Sequence, residues 1–150
     1  LLRTPFGIGV TVGLALIASF ALLPPISDAS EVTVGFHHLA HGVQFFIGSM
    51  LAAALASSPS IVRRITPRWT NIGLTTVVLI PAAMLLFMVP AIYSEIDSDN
   101  FLHASYHFVV LILGFVTGLG ASTLGRTAGW TVLISAIGMA LMFAAGVTGG

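Results

Sequence analysis

GFHHLAHGVQFFIG (residues 35–48) and FLHASYHFVVLILG (residues 101–114) are the two stretches on which the reading of this chain turns. Each opens with a histidine pair at i, i+4 spacing, His37/His41 and His103/His107, and continues as an apolar run. On a helix that spacing puts both imidazoles on one face, one turn apart. The pairs lie 66 residues apart, and the same offset relates Thr4 to Thr70, Gly7 to Gly73, Pro24 to Pro90, Glu31 to Asp97 and Gly48 to Gly114. The shared pattern is Pro-x12-His-x3-His-x6-Gly, used twice. It predicts a duplicated helical hairpin (residues 1–57 and 67–123) followed by a fifth helix, with the two copies bringing four histidines together.

Composition places that hairpin in a bilayer. The 150 residues are 57% hydrophobic and 7% charged, with mean hydropathy +1.06. Water-soluble chains carry about 25% charged residues. Five stretches approach or exceed the ~20 apolar residues that cross a membrane: 5–24, 35–56, 71–92, 101–121 and 128–148. The fold class expected is therefore all-α, an integral membrane bundle of five transmembrane helices forming a single domain over residues 1–150. The first span lacks a small-residue cleavage site followed by a polar region, so it reads as a membrane span rather than a signal peptide. Pro24-Pro25 and Pro90 stop spans 1 and 3, and Pro81 should kink span 3.

Threading five spans in alternation puts all the basic residues (Arg3, Arg63, Arg64, Arg68 and Arg126) on one side. The acids Asp28, Glu31, Glu95, Asp97 and Asp99 fall on the other. By the positive-inside rule the arginine side is cytoplasmic. The N-terminus is then inside the cell membrane and the C-terminus outside. The loops 24–35 and 93–100 and all five histidines face out, while the turn-rich, basic link SSPSIVRRITPRW (57–69) faces in. Zero cysteines exclude disulfides, thiolate metal sites and iron–sulfur clusters. A net charge of zero with no large basic cluster argues against nucleic acid as a partner.

Four imidazoles on two facing helices suit a late first-row metal, copper or, less well, zinc. The expected ligands are His37, His41, His103 and His107. Asp99, one turn before His103, is a candidate fifth ligand or tautomer-fixing partner, with His38, Gln44 and Tyr106 as weaker candidates for the same supporting role. Met84 and Met88 offer thioethers nearby, although methionine is more often a core filler. Against metal binding stands a structural reading in which interfacial histidines merely cap helices or meet lipid headgroups. Haem b, held by one histidine from each helix, is the other alternative. Doubled pairs crowd a porphyrin, and no histidine near the inner face could hold a second haem. A proton relay or transporter would need polar groups at the midplane, which is apolar here.

At these residues the chain resembles a group of archaeal multi-helix membrane proteins with an HH-x-x-H motif opening one span and further histidines opening another. His37, His38 and His41 match that motif, and His103 with His107 form the second set. It is similar, more weakly, to the CtaG-type cytochrome oxidase assembly factors, which carry histidines at helix starts and are implicated in copper delivery. The chain is shorter than that family and lacks its His-Met-x-x-His type of segment. The resemblance, over roughly spans 2 to 4, implies an accessory subunit of a copper-dependent membrane oxidoreductase such as an archaeal ammonia monooxygenase. The reading that results is a copper-binding membrane subunit or accessory protein in a hetero-oligomeric complex. A complete enzyme is not expected, because no catalytic apparatus is evident.

Overall fold

The computed structural model describes residues 34–56, 59–87 and 89–124, with ten further positions scattered through 9–17 and 130–141; for 34–36, 59–71 and 90 it gives the backbone alone. Four helices follow one another among the described residues: α1 (Val34–Ala56), α2 (Pro59–Phe87), α3 (Pro90–Asp97) and α4 (Asn100–Leu124). The expected spans 5–24 and 128–148 lie almost wholly outside the described residues, as does the first half of the hairpin 1–57.

Two helices, α1 from His37 to Ala56 and α4 from Asn100 to Leu124, are each long and apolar enough to cross a membrane. At 1.5 Å per residue, α4 reaches about 37 Å, more than the ~30 Å hydrocarbon core. Their limits agree closely with the expected 35–56 and 101–121. Helices are the natural state of such segments because lipid offers no partner for an unpaired backbone group.

The regions expected to be links are helical instead. The basic stretch after Ser58 is the first half of α2, which starts on Pro59 and continues through Pro67 and Pro81. Proline at the first helical position forfeits no hydrogen bond, whereas each internal proline loses one and crowds the preceding turn at a cost of about 3 kcal/mol, which a helix of 29 residues can carry. The acidic outer loop expected at 93–100 is likewise occupied by α3. Here the local cause is Pro90. It holds Val89 extended (φ −63°, ψ 127°), as a residue before proline must be, and then starts a new helix. The amides of Ile92 and Tyr93 donate to the Val89 carbonyl at 2.9 Å. The segments Ile72–Phe87 and Ala91–Asp97 therefore meet at 77°, and count as a third span only if the bent pair is taken as one.

α1 and α4 run parallel and pack most closely. At their crossing a Cβ on Gly48 would collide with the Leu111 carbonyl oxygen, and one on Gly114 with the Phe45 carbonyl oxygen. Leu111 stands 66 residues after Phe45, so the two contacts exchange partners under the offset seen in the sequence. The Ser49 hydroxyl sits within hydrogen-bond distance of the Gly114 carbonyl across the crossing (2.9 Å) and of Phe45 in its own helix (3.1 Å). Small residues and hydroxyl bonds of this kind hold helices together where lipid is as apolar as leucine. α2 flanks α4, and Phe45, Met84, Tyr106, Val110 and Ala121 form the apolar core between the three long helices.

Polarity is inverted relative to a soluble bundle. Leu74, Val78, Leu79, Leu86, Phe101, Phe108 and Ile112 point outward, whereas His37, His38, His41, Gln44, His107 and Thr117 are buried. Exposed apolar rows of this extent mark a surface made to meet lipid or other apolar protein surface.

The glycine crossing gives a direct test. Gly48→Ala should destabilise the protein by about 1–3 kcal/mol or more through overpacking against backbone, read as a lower SDS midpoint in detergent. An unchanged midpoint would mean that α1 and α4 do not cross there.

Candidate metal centre

The crossing fixes what lies above it. His41 precedes Gly48 by seven residues, and His107 precedes Gly114 by the same number, so both rings sit about 10 Å from the contact point on the same side. His37 and His103 stand one turn further toward the helix N-termini. Ring centroids are 5.0 Å apart for His37 and His103, 4.6 Å for His41 and His107, 4.4 Å for His37 and His41, and 4.8 Å for His103 and His107. His37 also lies 5.3 Å from His107.

One donor nitrogen from each of His37, His103 and His107 lies within 4.8 Å of the other two. Nitrogens on one zinc or copper ion, at about 2.0–2.1 Å from it, stand roughly 3–4 Å apart. Small rotations of the rings would bring all three onto an ion. His41 is fully enclosed, and its ring packs on two members of the trio.

Hydrogen bonding divides the four rings into two kinds. His103 and His107 are anchored from behind. His103 Nδ1 meets Asp97 Oδ1 at 2.8 Å, His107 Nδ1 meets Gln44 Oε1 at 3.0 Å, and the two Nε2 atoms face each other at 2.8 Å. His37 and His41 have no such anchors: both nitrogens of each are buried without a hydrogen-bond partner. A buried unsatisfied polar group costs about 1–3 kcal/mol, so four of them in one cluster need explaining.

The remaining expected residues take separate places. Gln44 is buried and bonded to His107, as a supporting group would be. Tyr106 packs edge-on to His41 at 4.9 Å with its hydroxyl buried and unpaired. His38 faces Tyr93 at 5.2 Å and lies further from the cluster, 5.9 Å from His37 and 6.2 Å from His41. Met84 is part of the apolar core, and Met88 lies outside the described residues.

Asp99 is placed differently from expectation. Its carboxylate accepts the amides of Phe101 and Leu102, both at 2.9 Å, which makes it the N-cap of α4. The acid that reaches His103 is Asp97, at the end of α3. Sequence reasoning passed over Asp97 because 93–100 was read as a solvated loop. The signal present was its pairing with Glu31 in the repeat. Tyr93, on the same short helix, was missed for the same reason; its ring packs on His37 at 5.5 Å and on His38.

Set against known proteins, the chain matches no family model, no curated protein and no solved structure. The site's own chemistry therefore carries the functional reading.

The two acids predict different phenotypes. Asp99→Ala should cost about 1 kcal/mol of stability through the lost cap while leaving bound metal, measured by elemental analysis, unchanged. Loss of metal in that variant would return Asp99 to the site.

Proposed function

We propose that the chain is a metal-binding integral membrane subunit, holding one transition-metal ion through His37, His103 and His107 with His41 as the fourth nitrogen. The observation that carries this reading is the convergence of three imidazole donors from two different helices within 4.8 Å. The unpartnered nitrogens of His37 and His41 support it, because each ring has one lone pair that an ion could take up. An all-nitrogen set in a chain without cysteine suits copper first and zinc second. Haem fits less well. Rings packed 4.4–5.3 Å apart leave no slot for a porphyrin between them.

In the membrane, the chain is read as five spans built from a duplicated hairpin, with the histidine cluster at the extracytoplasmic face. The parallel run of α1 and α4 and the exchanged contacts of Gly48 and Gly114 support the duplication. The segregation of all five arginines to one side supports the orientation. A small subunit with one buried metal centre and no further catalytic machinery fits a copper-supplying or copper-holding accessory role in a larger membrane oxidoreductase complex.

Elemental analysis of purified protein should give one copper or zinc per chain. His37→Ala, His103→Ala and His107→Ala should each remove most of it, whereas His38→Ala should retain it. Metal content unchanged in all three variants would end this reading, and a Soret band in the visible spectrum would replace it with haem.

The absence of cysteine makes topology equally accessible. A cysteine placed at Ser98 should react with an impermeant maleimide added to intact cells, and one at Ser58 should not. The reverse pattern would invert the orientation.

A further inference from the structure

The anchored pair, His103 and His107, contains a constraint on both the donor atoms and the kind of ion. It rests on the metal-binding reading above. A carboxylate can only accept, so His103 must present a proton at Nδ1 to Asp97 Oδ1. The Gln44 Oε1 atom can likewise only accept, so His107 presents its Nδ1 proton there. With both outer nitrogens acting as donors, the neutral rings turn two Nε2 lone pairs toward each other at 2.8 Å. Two lone pairs at that distance repel unless a positive centre lies between them, either a proton shared as an N–H···N bond or a metal ion. The neighbouring donor is His37, whose nitrogens are buried without partners.

We propose that Asp97 and Gln44 are positioning residues that fix His103 and His107 as Nε2 ligands, and that Asp97 makes the site selective for a divalent over a monovalent ion. The selectivity follows from charge. Asp97 and Gln44 both set ring orientation, but only Asp97 brings a net negative charge behind its ligand. Coulomb attraction scales with the charge of the ion, so the carboxylate favours a divalent ion twice as strongly as a monovalent one at the same place. Nitrogen-only donors point the same way, since Cu(I) prefers thiolate and thioether. The thioether of Met84 belongs to the apolar core. Asp97 can act because α3 exists. The elbow at Val89-Pro90 turns the chain across the bundle end, and α3 finishes on the residue that reaches His103. Asp97 is half exposed, which leaves the carboxylate accessible while the ring it holds is largely enclosed.

The test compares wild type, Asp97→Asn, Gln44→Leu and Asp99→Asn in detergent, each titrated with Cu(II), Zn(II) and, under reductant, Cu(I). Asp97→Asn should weaken Cu(II) and Zn(II) binding roughly 10–100-fold, the usual effect of removing an outer partner of a ligating histidine. Cu(I) should lose clearly less. Gln44→Leu should weaken all three ions by similar factors, and Asp99→Asn none. Pulsed electron paramagnetic resonance of the Cu(II) form should show the remote-nitrogen quadrupole coupling shifted in Asp97→Asn and unshifted in Asp99→Asn. Equal losses for Cu(I) and Cu(II) in Asp97→Asn would overturn the selectivity, and an unshifted remote nitrogen would overturn the positioning role. Should Asp97→Asn fail to fold, Asp97→Glu, which keeps the charge, must preserve the order Cu(II) over Cu(I); losing it defeats the proposal. Wild type that binds none of the ions would instead remove the metal-binding reading itself.

Discussion

Close approach of two parallel helices at Gly48 and Gly114 is the contact from which the rest of the architecture follows. Each glycine accepts the backbone of the other helix where any side chain would collide, and Ser49 bridges the gap by hydrogen bond. In a bilayer this matters more than in water, because apolar side chains gain little by leaving lipid for one another. The contact locks α1 and α4 in register. With the register set, two turns of helix bring His41 level with His107, and a third brings His37 level with His103. A slip of one residue would rotate each histidine by about 100° and scatter the cluster.

Having been brought together, the imidazoles lie in surroundings that serve them poorly as ordinary side chains. The outer faces of α2 and α4 are apolar and the histidines are inside, the reverse of a soluble bundle. Neutral imidazole carries one donor and one acceptor, and in His37 and His41 neither is used. The bundle thus concentrates hydrogen-bonding deficit in one small volume. The two rings that are satisfied, His103 and His107, are satisfied on their far sides, which leaves their near nitrogens converging. The unused lone pairs and the converging nitrogens suit a bound cation, and neither suits a purely apolar packing role.

The short helix α3 links the membrane-crossing architecture to the chemistry. Proline begins it, the restricted residue before proline sets its angle, and its eight residues are enough to carry Tyr93 onto His37 and His38 and Asp97 onto His103. Asp99, two residues on, caps the next helix. Two carboxylates in one acidic stretch therefore divide into an electrostatic partner for the site and a stabiliser of the element that presents it.

The sequence by itself determined the placement of α1 and α4, the side-by-side order of each histidine pair and the membrane class of the chain. These depend on local quantities: length of apolar run, i, i+4 spacing and charge density. It also marked Gly48 and Gly114 as equivalent through the 66-residue offset, though not as contact points. Other outcomes depended on tertiary structure. Proline at 59, 67 and 90 and the acids at 93–100 suggested loops, yet helices formed there: Pro59 and Pro90 start theirs, and the long α2 carries Pro67 in its interior. That Asp97 rather than Asp99 meets His103, that Gln44 backs His107, and that His37 and His41 stay unpartnered were decided by distances through space. The 77° elbow and the glycine crossing set those distances, and no periodicity along the chain encodes them.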